Sequence, residues 1–135
     1  MKVTADTNLL VRIVARDDAV QARVAFELLS KAERVMICLP CLCELVWVLR
    51  SVYGFGPSDL DTAVRVVTEP GNVMTDQPAV DAGLQMLARG GDFADGVIAS
   101  AGMAMGAETF VSFDRKAVAR LDQMGISARH ADELA

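Results

Sequence analysis

Met1-Lys2-Val3-Thr4-Ala5-Asp6-Thr7-Asn8 opens the chain as a short β-like run ending on three residues suited to capping a helix. Leu9, Leu10, Ile13 and Val14 then recur at helical spacing, so this stretch reads as strand, turn and helix. The same alternation continues outward. Val20, Val24 and Leu28 mark a second helix, with Glu27 and Lys31 paired on its wet side. Arg34 to Leu39 reads as a strand, and Pro40 as the first residue of a helix reaching about Tyr53. Gly54-Phe55-Gly56-Pro57 breaks the chain before a helix over Ser58 to Val67. A short strand around Val73 and Met74 precedes a helix through Val80, Gly83, Leu84 and Leu87, stopped by Gly90-Gly91. Asp92 starts the next helix, Thr109 to Ser112 forms a strand, and Val118 and Leu121 sit on a last helix. The C-terminal stretch adds a short edge strand. Short strands alternating with amphipathic helices predict an α/β fold around a mainly parallel sheet.

The chain of 135 residues fits one domain, 1–135. Hydrophobic residues at 53% and charged residues at 23% predict a folded globular protein. Aromatics at 5% argue against a protein that grips single strands on a row of rings. No apolar run is long enough to span a bilayer, so no membrane partner is expected. Asp6 falls where a basic signal-peptide region would lie. The odd cysteines Cys38, Cys41 and Cys43 do not form a secreted disulfide framework, which points to the cytoplasm. The single histidine, His130, lies in the polar stretch Ser127 to Asp132. One peripheral histidine is poor material for a zinc site or a Ser-His-Asp triad. Hydrolysis by this chain is therefore expected to run on carboxylates and a metal. The net charge of −5 disfavours binding to polyanions unless the acids gather around cations.

Several acids occupy unusual places. Glu44 is the only charge between Val35 and Leu49, and a carboxylate buried there without a partner would cost several kcal/mol. A salt bridge to a distant arginine, or an edge facing water, would explain it as well. Asp6 and Asp114 follow predicted strands at the edge where open α/β sheets bind ligands, although aspartate is also a favoured helix cap. Asp92 and Asp95 stand three apart at a helix start, as a capping pair would. The apolar Ile98, Ala99 and Gly102 one turn on turn Asp95 inward. If the strand ends converge, Asp6, Glu44, Asp95 and Asp114 form a like-charge cluster that needs protons or a cation. Oxygen ligands without Cys or His suit Mg²⁺ or Mn²⁺, and such a site handles phosphate esters.

Together, Met1 to Asn8, the lone Glu44, Gly91-Asp92-Phe93-Ala94-Asp95-Gly96-Val97-Ile98-Ala99 and Ser112-Phe113-Asp114-Arg115 resemble the PIN-domain ribonucleases. More narrowly they resemble VapC-type toxins of type II toxin–antitoxin systems. The resemblance covers almost the whole chain in the right order. It implies a three-layer α/β/α fold and an acidic metal site, with Asp6, Glu44, Asp95 and Asp114 as the catalytic acids. Of these, Asp6, Asp95 and Asp114 would be metal ligands, with Asp92 as an accessory acid and Asn8 and Ser112 as supporting residues. It further implies a Mg²⁺- or Mn²⁺-dependent endoribonuclease, homodimeric and held inactive by a VapB-type antitoxin. A housekeeping PIN nuclease without an antitoxin fits the same motifs.

Cys38-Leu39-Pro40-Cys41 supports a different class. It lies between a strand and a helix, where a thioredoxin-like redox pair sits with a thiol pKa lowered by the helix end. Free cysteines acting as small hydrophobes explain the cluster more simply. Of the scattered bases, Arg115 and Lys116, next to Asp114, are the candidates to hold RNA phosphates.

Overall fold

A computed structural model describes Met1–Ala135. It carries seven α-helices and five short strands, and every strand pairing is parallel. The chain divides into two compact units, Met1–Asp76 and Gln77–Ala135.

In the first unit, β1 (Lys2–Thr4), β2 (Arg34–Met36) and β3 (Val73–Met74) form one sheet in sequence order. The register pairs Val3 with Val35, and Val35 with Val73. Parallel neighbours need a crossover, and two pairs of helices supply it. The first pair is α1 (Thr7–Ala15) and α2 (Ala19–Lys31); the second is α3 (Leu39–Ser51) and α4 (Pro57–Thr68). Leu10, Val35, Leu42, Leu45, Leu49, Leu60 and Val64 are fully buried and make the core. Pro40 is tolerated because it falls in the first turn of α3, where no helical N–H bond is lost, although Leu39 rather than Pro40 leads the helix.

The Val20, Val24 and Leu28 stripe is exposed, and Ala25 is the buried residue of α2. Periodicity identifies residues that share a face, but it does not say what covers that face.

In the second unit, α5 (Gln77–Ala88) packs along α6 (Phe93–Ala104). β4 (Phe110–Ser112) leads through α7 (Arg115–Gln123) to β5 (Ala128–His130), the short C-terminal strand foreseen, and a 3-10 turn follows at Ala131–Leu134. Met86, Ala99, Leu121 and Ala128 form an apolar cluster edged by Phe110, Val118, Met124 and Ile126. Two glycines let α5 and α6 approach closely. A Cβ on Gly83 would stand 2.6 Å from the Phe93 ring, and one on Gly96 would run into the Ala82 carbonyl. Gly96 directly follows Asp95, so this close approach fixes the first turn of α6.

Candidate active site

Four helices carry an aspartate in the N-cap position: Asp18 heads α2, and the other three are the candidate site residues Asp6, Asp92 and Asp114. Asp6 follows β1, and its Oδ1 accepts from the Thr7 N–H at 2.8 Å. The Asp92 carboxylate accepts from the Ala94 N–H at 2.8 Å at the head of α6. Asp114 follows β4, and its Oδ1 accepts from the Lys116 and Ala117 N–H groups at 3.0 and 3.1 Å. The capping alternative is therefore realised at all three. It does not compete with ligand binding at Asp6 and Asp114, because each bond described uses Oδ1. Capping orients the carboxylate and leaves Oδ2 available, and both residues are exposed.

In the first unit, Cys41 ties the start of α3 to the start of α1. The Thr7 hydroxyl donates to Cys41 Sγ at 3.6 Å, and the Cys41 thiol donates to the Ala5 carbonyl at 3.6 Å. Burial pushes the Cys41 thiol pKa up, the Thr7 bond opposes the shift, and the charges of Asp6, Glu44 and Cys38 add to it. That direction is the reverse of what a redox thiol needs. No disulfide joins Cys38, Cys41 or Cys43. The Cys38/Cys41 pair therefore gains no support as a redox centre.

Glu44 lies one turn beyond Cys41 and is exposed. Of the alternatives the sequence leaves open, the edge facing water is realised: Glu44 is exposed on α3 and carries no burial cost. Its apolar neighbour Trp47 is exposed as well, which explains why the surrounding sequence misleads.

In the second unit, Asp95 in the first turn of α6 is half-buried. Its carboxyl pKa is pushed up, first by burial and then by the negative charges of Asp92 and Asp114. These three acids therefore share an electrostatic field. No three Asp, Glu, His or Cys side chains within either unit gather closely enough to share a metal ion directly. The donor chemistry still fits Mg²⁺ or Mn²⁺: the oxygens are hard, the charge on Asp95 is under-compensated, and Mg²⁺ keeps several waters while using one or two carboxylates.

Ser112 Oγ accepts from the Asp114 N–H at 3.0 Å and so fixes the turn. Asn8 lies exposed on the first turn of α1. Arg115 and Lys116 are exposed at the head of α7, with Arg115 loosely paired to Asp132 at 3.8 Å.

His130 was not foreseen as a contributor, and the structure corrects its peripheral placement. It is 6% exposed. The strand register sets it beside Ser112, its Nε2–H donates to the Phe113 carbonyl at 3.0 Å, and its Nδ1 accepts from the Asp132 N–H at 3.2 Å. The surrounding Ser, Arg and Asp made this stretch look solvated; the alternation of buried and exposed residues along β5 was the missed signal.

No helix is long and apolar enough to cross a membrane. No curated relative matches the chain. The sequence model of the PIN domain matches residues 3–123. PIN domains are generally nucleases that act on RNA or DNA with divalent metal ions, and their α/β/α class accords with seven helices and parallel-strand sheets. The chain belongs to the PIN domain family.

Proposed function

We propose that this protein is a Mg²⁺- or Mn²⁺-dependent endoribonuclease and the toxin of a VapBC-type pair. The observation that carries the nuclease reading is Asp95, half-buried beside the like charges of Asp92 and Asp114. Such a field is relieved by a cation. Asp6, Asp95 and Asp114 are assigned as its ligands by their match to the family's motifs. A divalent ion bound there supplies a lowered pKa for the attacking water and charge stabilisation for the leaving oxygen.

The remaining roles belong to the chain itself. Ser112 holds the Asp114 turn, and Asp92 fixes the head of α6 while adding negative charge around Asp95. Glu44 completes the catalytic acids, and Asn8 supports Asp6. Arg115 and Lys116 hold the phosphates that flank the cut.

The toxin assignment rests on the resemblance to VapC proteins and on a groove between α1 and α2. Asn8, Leu9, Arg12, Val20, Gln21 and Val24 line that groove, and Val20 and Val24 are exposed. A surface of this kind suits the tail of an antitoxin, or a second copy in a homodimer. The protein is placed in the cytoplasm, where such pairs act.

Incubation with total RNA, with Mg²⁺, with Mn²⁺ or with excess EDTA, tests the activity. Metal-dependent internal cuts are expected, and unchanged cutting in EDTA would overturn the reading. Co-expression with the neighbouring reading frame tests the partner. A complex that relieves growth arrest is expected, whereas no complex and no relief would leave a housekeeping nuclease.

A further inference from the structure

Phe113 is 77% exposed, although a phenylalanine ring loses more by facing water than almost any other side chain. It is also held in place. The His130 Nε2–H donates to its carbonyl at 3.0 Å, and the two rings meet edge to face with centroids 5.9 Å apart at 83°. His130 is itself buried and anchored by the Asp132 N–H. The ring is thus exposed without being loose.

Its immediate neighbours Ser112 and Asp114 are polar, Arg115 and Lys116 beyond them are exposed, and the one apolar side chain exposed beside it in the sequence is Val111. A protein-docking surface is a contiguous apolar patch. A pre-positioned ring flanked by two cations, with Val111 as its exposed apolar neighbour, has instead the composition of a site that stacks a base and holds the adjoining phosphate. Scarce aromatics exclude a row of stacking rings, but they do not exclude a single anchor.

We propose that Phe113 is a stacking platform for one unpaired base of single-stranded RNA, with Arg115 and Lys116 on the flanking phosphates. It thereby positions the strand at Asp114. The inference rests on the nuclease reading above and adds a subsite to it.

Fluorescence anisotropy of labelled polyadenosine and polyuridine strands tests it, using protein that carries Glu44→Gln to suppress cutting, in Mg²⁺. Adding Phe113→Ala should weaken binding about ten-fold, whereas Phe113→Tyr, which keeps the ring, should bind like its parent. Strands of abasic nucleotides should bind the Ala variant and its parent alike. Equal affinity of the Ala variant and its parent for polyadenosine overturns the subsite and leaves the nuclease reading standing. Failure of the parent to bind RNA at all overturns both. A change in oligomeric mass on Phe113→Ala with RNA affinity unchanged also overturns the subsite, because the ring then belongs to a protein contact.

Discussion

His130 and Phe113 join two chain segments through one hydrogen bond: the imidazole Nε2–H reaches the Phe113 carbonyl at 3.0 Å, across the end of the β4–β5 ladder. The other ring nitrogen accepts from the Asp132 N–H at 3.2 Å, so both ring nitrogens are engaged. Replacing His130 with alanine removes two part-buried hydrogen bonds and empties the buried place of the ring, at a cost of about 1–3 kcal/mol. The expected result is a thermal midpoint lowered by several degrees. An unchanged melt would mean that water replaces the imidazole without loss.

Asp6 and Asp114 serve as helix caps and as candidate ligands, and two substitutions separate the roles. Asparagine caps a helix about as well as aspartate, whereas alanine costs about 1 kcal/mol. Asp6→Asn and Asp114→Asn should therefore melt like the wild type and cut no RNA, while the alanine variants lose stability as well. Full cleavage by either asparagine variant would remove that residue from the metal site.

Asp95 makes a signed prediction about pH. Its folded-state pKa is raised by burial and by the charges of Asp92 and Asp114, so the folded state holds the proton more tightly than the unfolded chain. Stability therefore falls as pH rises from the ordinary aspartate pKa through the raised one, and the penalty persists above it. In metal-free buffer, Asp95→Asn should melt higher than wild type at neutral pH, and the gap should close at acid pH. Mg²⁺ should raise the wild-type melt more than that of the variant. A variant less stable than wild type at neutral pH would make Asp95 a structural partner.

Glu44→Gln should abolish cleavage and leave the metal-free melt within experimental error, because the side chain is exposed. A fall of many degrees would reveal a structural role for the carboxylate.

The alternation of strands and helices was legible in the sequence because caps, glycines and prolines punctuate it locally. Asp6, Asp92 and Asp114 could be read as caps for the same reason, whereas of the residues one turn beyond the part-buried Asp95 Ala99 is buried and Ile98 faces water. What surrounds a face is a tertiary fact, and local pattern does not carry it. Glu44 looked buried because its neighbours in sequence are apolar, yet it faces water. His130 erred in the opposite direction: two residues of alternation on β5 turn it inward, too short a run to stand out in a polar stretch.

The close approach at Gly96 constrains what variation this segment can accept. On the proposed nuclease reading Asp95 serves through its charge, while the next position must be empty, because any side chain there meets the Ala82 carbonyl. One letter answers to chemistry and its neighbour to space, so a saturation library sorted twice should pull them apart. Asp95 variants should vanish only from the pool selected for RNA cutting. Gly96 variants should already be depleted from the pool selected for soluble protein, since overpacking costs about 1–3 kcal/mol. For a designer transplanting the acidic turn onto another scaffold, the portable unit is then larger than the acids. It must include the bare stretch of the neighbouring helix against which Gly96 rests.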